Sequence, residues 1–285
     1  MTATRPAGRV GVLVPVVFDW YFAGILHGVA DAVYEHRLRL MLWPTRHEHA
    51  REVAQLAEAR EAIDGAVLVL PEQSSEELLD ALSSGFPLVV IDPLVPLDDR
   101  IPSVAAANAS GAEQAMQHLL ELGHRRIAAI TGPPGWAATE ARRRGYRDAL
   151  AAAGIPFDPG LELEADFDFE PGAQAASALF ELDRPPSAIF AFSDMVAIGA
   201  MRAARARGIS IPDELSIVGF DDSAYATVVH PALTTVRQPL AEMGGTAVDL
   251  LVRLMRSEIV DTPHLEPFTR LVVRETTSAP QSGGR

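Results

Sequence analysis

The sequence predicts an α/β protein built from two doubly wound, parallel-sheet lobes. Three observations carry that prediction. Compact apolar runs alternate with amphipathic segments from end to end, three of the amphipathic segments stop at a glycine, and 285 residues are long for one domain but comfortable for two. A composition of 48% hydrophobic and 22% charged residues fits a well-packed core.

The predicted strands are 10–14, 38–43, 65–70, 88–91, 127–131, 188–192 and 216–219. Each is apolar nearly throughout, as strands buried on both faces must be. Between them, residues 109–122 carry Ala112, Ala115, Met116, Leu119 and Leu120 at helical spacing and end at Gly123. A second helix, 138–153, ends at Gly154; a third, 194–207, opens on Asp194 as a capping carboxylate and ends at Gly208. Pro171 suits the first turn of a helix running to Leu182. Strand–helix alternation with short returns implies right-handed crossovers. Two such series, before and after about residue 125, imply two lobes facing across a cleft, with ligands taken at the carboxyl ends of the strands.

Composition removes several function classes. There is no cysteine, so disulfides, thiolate metal sites and cysteine nucleophiles are excluded. No apolar run approaches the ~20 residues of a membrane span, and no secretory signal opens the chain, so a cytoplasmic protein is expected. The net charge is −14 and all 24 basic residues are arginine, which argues against direct binding to nucleic-acid phosphates. Arg142, Arg143, Arg144 and Arg147 form the densest basic cluster, yet on a helix they point in different directions. His47-Glu48-His49 has no third metal ligand, and Gly132-Pro133-Pro134-Gly135 lacks the Gly-Lys-Ser/Thr of a phosphate loop. No histidine falls in the site motifs, and no nucleophile–base pair is visible, so neither an enzyme nor a cofactor is expected.

Candidate binding residues follow the strands. Phe18-Asp19-Trp20-Tyr21-Phe22 places four aromatics in five positions after the first strand, and flat apolar rings can stack on the C–H face of a sugar or on a base. Phe22 could equally cap the core as the start of an amphipathic helix. Asp221, the first acid of Gly-Phe-Asp-Asp at a strand end, can accept two hydroxyl hydrogen bonds, and a nearby arginine would keep it ionised. Asp222 reads as a turn-stabilising acid. Asp194 has two compatible readings, helix cap and site residue. Trp136 is exposed by its loop and within reach of a ligand.

The segments QHLLELGHRRIAAITG (117–132), SAIFAFSDMVAIGAM (187–201), LSIVGFDDSAYATVVHPALTTVRQP (215–239) and LVVRETTSAP (271–280) resemble, in order and spacing, the regulatory domains of the lactose-repressor/galactose-repressor (LacI/GalR) family. The resemblance spans about 10–280. It implies a periplasmic-binding-protein-like fold whose lobes, joined by three crossovers, comprise 8–124 plus 238–267 and 125–237 plus 268–280; the low-complexity tail at 281–285 reads by composition as disordered. It implies a side-by-side homodimer that binds a small polar effector, a sugar, and reaches operator DNA only through a helix-turn-helix not included here. It also assigns ligand contact to Arg142, three residues before a glycine, whose guanidinium suits vicinal hydroxyls or a carboxylate. Phe167 falls where relatives place a stacking aromatic. Three places depart from the family pattern: Asp19 and Trp20 stand in place of Asn-Pro, Ser193 in place of asparagine, and Ala107 near an expected aspartate. A solute-binding protein of a sugar import system shares the fold, but Gly-Phe-Asp-Asp followed by His-Pro-Ala-Leu-Thr-Thr favours the regulator.

Overall fold

The computed structural model describes residues 8–17, 19–260 and 263–280; Phe18 and the tail at 281–285 lie outside them. The chain begins with β1 (Arg9–Val14), α1 (Trp20–Glu35), β2 (Arg39–Pro44), α2 (His49–Ala62), β3 (Gly65–Val69), α3 (Ser75–Ser83), β4 (Leu88–Ile91) and β5 (Ser103–Val104). It continues through α4 (Asn108–Glu121), β6 (Ile127–Thr131), α5 (Ala137–Ala152), β7 (Glu162–Glu164), α6 (Phe169–Phe180) and β8 (Ala188–Ala191). Then come α7 (Asp194–Ala206), β9 (Ser216–Asp221), the single turn α8 (Tyr225–Val228), β10 (Thr234–Arg237), α9 (Leu240–Met255), β11 (His264–Leu265) and β12 (Arg270–Val272).

These elements form two units: residues up to 106 with 239–267, and 107–238 with those from 268 onward. The first holds a parallel sheet in the order β11-β5-β4-β3-β1-β2. The second holds the order β12-β10-β9-β8-β6-β7, parallel except for the antiparallel pair β10–β12. The α/β class and the doubly wound sheets are therefore as the sequence predicts. In each sheet the strand order reverses beside the unit's first strand, between β1 and β3 and between β6 and β8. A crevice opens outside the carboxyl ends of strands at such a reversal, because the connections on either side leave for opposite faces. The loops there are 15–19 and 70–74 in the first unit, and 132–136 and 192–193 in the second.

The boundary differs from the expected one. It falls at 106/107 instead of 124/125, because α4 belongs to the second unit. Ala112, Ala115, Met116 and Leu119 pack with Ile127, Tyr146, Phe190 and Phe220, all of that unit. An apolar stripe shows that a helix is buried; it does not name the sheet that receives it.

Strands β3, β4 and β8 are buried along their whole length, and edge strand β2 is largely exposed. Helices pack in pairs, α1 with α9, α4 with α5 and α6 with α7. The α1–α9 pair needs glycine at its crossing. A Cβ at Gly28 would overlap the Ala241 carbonyl, and one at Gly244 would overlap the Ile25 carbonyl. Helix α3 starts on a capping box, Ser74 Oγ accepting from the Glu77 amide at 3.3 Å while the Glu77 carboxylate accepts from the Ser74 amide at 2.9 Å.

Candidate functional site

In the second unit the carboxyl ends of β8 and β9 carry two buried aspartates side by side. Asp194 opens α7 and is completely buried. Its Oδ2 accepts from the Ser223 amide at 2.7 Å and the Ser223 hydroxyl at 2.9 Å, and its Oδ1 accepts from the Thr235 hydroxyl at 2.5 Å. Asp194 therefore does not cap its helix. Ser193 does, its hydroxyl accepting from the Val196 amide at 3.2 Å, which frees Asp194 to tie β8 to β10 and to the turn after β9. The sequence expected a capping carboxylate at 194; the cap lies one residue earlier.

Asp221 ends β9 with φ +128°, and Asp222 follows with φ +57°. Two successive positive φ values turn the chain sharply and hold the Asp221 carboxylate beside α7. Its Oδ1 accepts from Gln238 Nε2 at 2.7 Å and its Oδ2 from the Asp194 amide at 3.3 Å. Burial pushes both carboxyls above their ordinary range, and the charge on Asp194 raises Asp221 further while Arg142 pulls it back. A nearby arginine was expected to keep Asp221 ionised. Desolvation outweighs it, so the pair holds a proton more tightly than free carboxylates do. Such a pair can both accept from and donate to a hydroxyl. Asp222 is more than a turn former: its side chain is buried between Arg237 Nε and Arg274 Nη2, each at 2.5 Å.

Arg142, on α5, is buried to 3% exposure, unlike Arg144 two residues on. Its Nε donates to Asn108 Oδ1 at 2.8 Å and its Nη1 to the Phe192 carbonyl. The guanidinium lies over the Phe220 ring at 3.8 Å and faces Phe167 at 5.9 Å. Trp136, at the start of α5, meets Phe167 edge to face at 5.9 Å. Phe167 in turn lies against Gly132, where a Cβ would overlap its ring. The structure thus brings Trp136, Arg142, Phe167, Ser193, Asp194 and Asp221 together at the carboxyl ends of β6, β8 and β9.

In the first unit the loop after β1 also departs from a simple aromatic platform. Asp19 caps α1, accepting from the Tyr21 amide at 2.9 Å. Trp20 and Phe22 both pack edge-on against Tyr21, at 5.8 and 5.4 Å. Phe22 is buried in the core, as its second reading held, and touches the His47 ring at 6.3 Å. Tyr21 is oriented by its hydroxyl, which donates to Asp92 at 2.6 Å. His47 and His49 pair separately with Glu72 and Glu77, at 3.4 and 3.0 Å. Among the described residues no group of histidines and carboxylates could hold a metal ion, and no helix is long and apolar enough to cross a membrane.

Residues 116–277 match the family model of the periplasmic binding protein-like domain. The chain is 34% identical over 277 residues to the ribose operon repressor of Halalkalibacterium halodurans, covering 96% of this chain and 80% of that protein. It belongs to the LacI/GalR family. Another relative, the HTH-type transcriptional regulator CelR of Thermobifida fusca, is 36% identical over 267 residues, covering 90% of this chain and 76% of the relative. The solved complex of transcriptional regulator CelR with cellobiose superposes with a TM-score of 0.85 at 33% identity, over 94% of this chain and 84% of that one. These relatives are transcription regulators, which favours that branch over the import-system reading.

Sequence reasoning missed part of this candidate site. Asn108, Ser223, Thr235 and Gln238 supply most of the hydrogen bonds that hold Arg142, Asp194 and Asp221. Each is a small or neutral polar residue within two positions of a strand end or at a helix start. That placement was a usable signal, because a polar residue beside a buried strand terminus needs a partner.

Proposed function

We propose that the chain is the effector-binding core of a transcription regulator and that its effector is a sugar or a similar polyhydroxylated molecule. The observation that carries this is the Arg142–Asp221 constellation, buried donors and acceptors of both kinds beside the Trp136 and Phe167 rings, at a strand-order reversal. A ring face packs on C–H groups while the guanidinium and carboxyl take hydroxyls, a combination suited to a sugar and poor for an apolar ligand. Relatives named for ribose and bound to cellobiose support the same class. Asp194, with its oxygens already engaged, positions Asp221; Ser193 positions Asp194.

A ligand shifts the balance between two states of the protein only in proportion to its preference for one of them. About 100-fold preference is about 2.7 kcal/mol, sufficient to shift the geometry of a homodimer and of helix-turn-helix readers on operator DNA. The protein works in the cytoplasm as a regulator without turnover of its ligand.

A thermal-shift screen over sugars, sugar phosphates and nucleosides, followed by calorimetry, tests this. One chemical class is expected to raise the melting temperature, and Asp221→Asn should weaken that ligand at least about tenfold, or about 1.4 kcal/mol. The variant should stay folded. Gln238 Oε1 is buried without a donor, so a rotated Gln238 amide can accept from the amide group that the substitution introduces. Because burial raises Asp221 above its unfolded value, the folded state loses stability as pH rises through the folded value, and the asparagine removes that loss. Wild-type affinity in Asp221→Asn would overturn the site; no response to any polyhydroxylated compound would overturn the ligand class.

A further inference from the structure

We propose that the first unit contains a proton-binding site, centred on Glu52, that braces the loops following β2 and β3. Glu52 lies on the inner face of α2 at 2% exposure. Its Oε2 accepts from the Glu72 amide at 3.3 Å, and its Oε1 is buried without a hydrogen-bond donor. Three further buried oxygens in the same region lack partners: Thr45 Oγ1, Gln55 Oε1 and Gln73 Oε1. The bonds around them tie α2 to the end of β2 and to the loop after β3. Gln55, one turn along the same helix face, donates its Nε2 to the carbonyl of Pro44, next to Thr45, at 3.3 Å. Glu52 reaches Glu72, next to Gln73.

Glu52 therefore carries a buried oxygen that no donor reaches, and a carboxylate can only accept. Leaving buried acceptors unpaired is unfavourable, and a proton on Glu52 converts one of them into a donor. The charges facing Glu52 agree. Glu72, from the loop after β3, and Glu77, from α3, both disfavour its anion. His49, on its own helix, opposes them, but is committed to Glu77 at 3.0 Å. His47 is committed to Glu72 at 3.4 Å, and Arg51 to Glu48 at 3.3 Å. Burial, the largest influence, pushes the Glu52 carboxyl up to about 7 from an ordinary 4.5.

The sign follows. The folded value lies above the unfolded one, so folding takes up a proton at Glu52 between about pH 4.5 and 7. The bracing is fully present at the acid end and is lost as pH rises through neutrality. The neutral acid can donate from Oε1; the anion leaves that oxygen buried with no donor.

The wild-type chain and Glu52→Gln, compared by hydrogen exchange between pH 5.5 and 8.5, test the proposal. After correction for intrinsic exchange, wild-type peptides over 45–55 and 70–77 are expected to lose about tenfold in protection as pH rises, the equivalent of one pKa unit. Glu52→Gln, whose amide donates at every pH, should hold its protection throughout. Parallel pH dependence in the two proteins would overturn the proposal. Should the variant fail to fold, carbon NMR of wild type labelled at glutamate carboxyls decides the matter. One glutamate titrating near neutrality supports the site, and titration of all glutamates below pH 5.5 overturns it.

Discussion

Replacing Arg142 with alanine should lower stability by about 3–5 kcal/mol at pH 8 and abolish measurable effector binding. The size follows from what is left behind. Asn108 Oδ1 and the Phe192 carbonyl lose a charged donor, and the Phe220 ring loses the cation stacked on it at 3.8 Å. Above all, the Asp194–Asp221 pair loses the cation that offsets its burial. Breaking a buried charge constellation from one side costs more than the intact constellation contributes, because the remaining charge stays desolvated. The loss should also depend on pH. Without Arg142 the Asp221 carboxyl rises further, so the variant's additional deficit opens as pH approaches the wild-type Asp221 value of about 8 and grows above it, and it is absent near pH 5. Arg142→Lys keeps the charge but not the planar fork, so it should recover part of the stability and little of the affinity. Thermal melts at pH 5 and 8 check this: a melting temperature within about 2 °C of wild type at pH 8 would show that Arg142 is not the counter-ion we take it to be.

Much of this was legible before any coordinates. The strand runs at 65–70, 88–91, 127–131 and 216–219 announce themselves, because a parallel strand covered on both faces has no polar position to disguise it. The strand ends then mark Asp221 and the loop at 132–136. What escaped notice did so for physical reasons. β7 reads Glu-Leu-Glu at a sheet edge, where one face meets solvent, so its pattern is charged and short. β5 and β11 are two residues each, below any periodicity. At the site, the sequence places Asp194 at a helix start, where Ser193 and Asp194 are both good caps, and only packing decides between them. Burial of Asp221 could be guessed; that burial would outweigh Arg142 could not, since the outcome depends on distances and on a second aspartate contributed from 27 residues away. Glu52 was less visible still. It sits in a helix with little apolar character, where a glutamate ordinarily faces water, and three of that helix's residues are buried, Glu52 among them.

Glycine 28 carries the largest structural prediction. Helices α1 and α9 come from chain segments more than 200 residues apart and close the first unit on one face of its sheet, α9 packing on β3, β4 and β5. Their backbones approach so closely at Gly28 that its missing Cβ would occupy the Ala241 carbonyl, and Gly244 faces the Ile25 carbonyl in the same way. A backbone carbonyl inside a helix cannot rotate aside as a side chain can, so any larger residue must push the two helices apart and open the contacts of Ile25, Val29, Met243 and Val248, all fully buried. Gly28→Val should therefore cost about 4 kcal/mol or more, at the extreme of what single substitutions do, and lower the melting temperature by about 8–16 °C. Gly28→Ala should have the same sign with a smaller loss, even though alanine is the better helix former by about 1 kcal/mol, because overlap with backbone outweighs propensity. Hydrogen exchange should show the damage confined at first to the first unit, with α1 and α9 losing protection while α5, α6 and α7 keep theirs. A Gly28→Val protein that melts within about 2 °C of wild type, or that loses protection equally in both units, would mean that the close approach of the two helices is not what holds the first unit together.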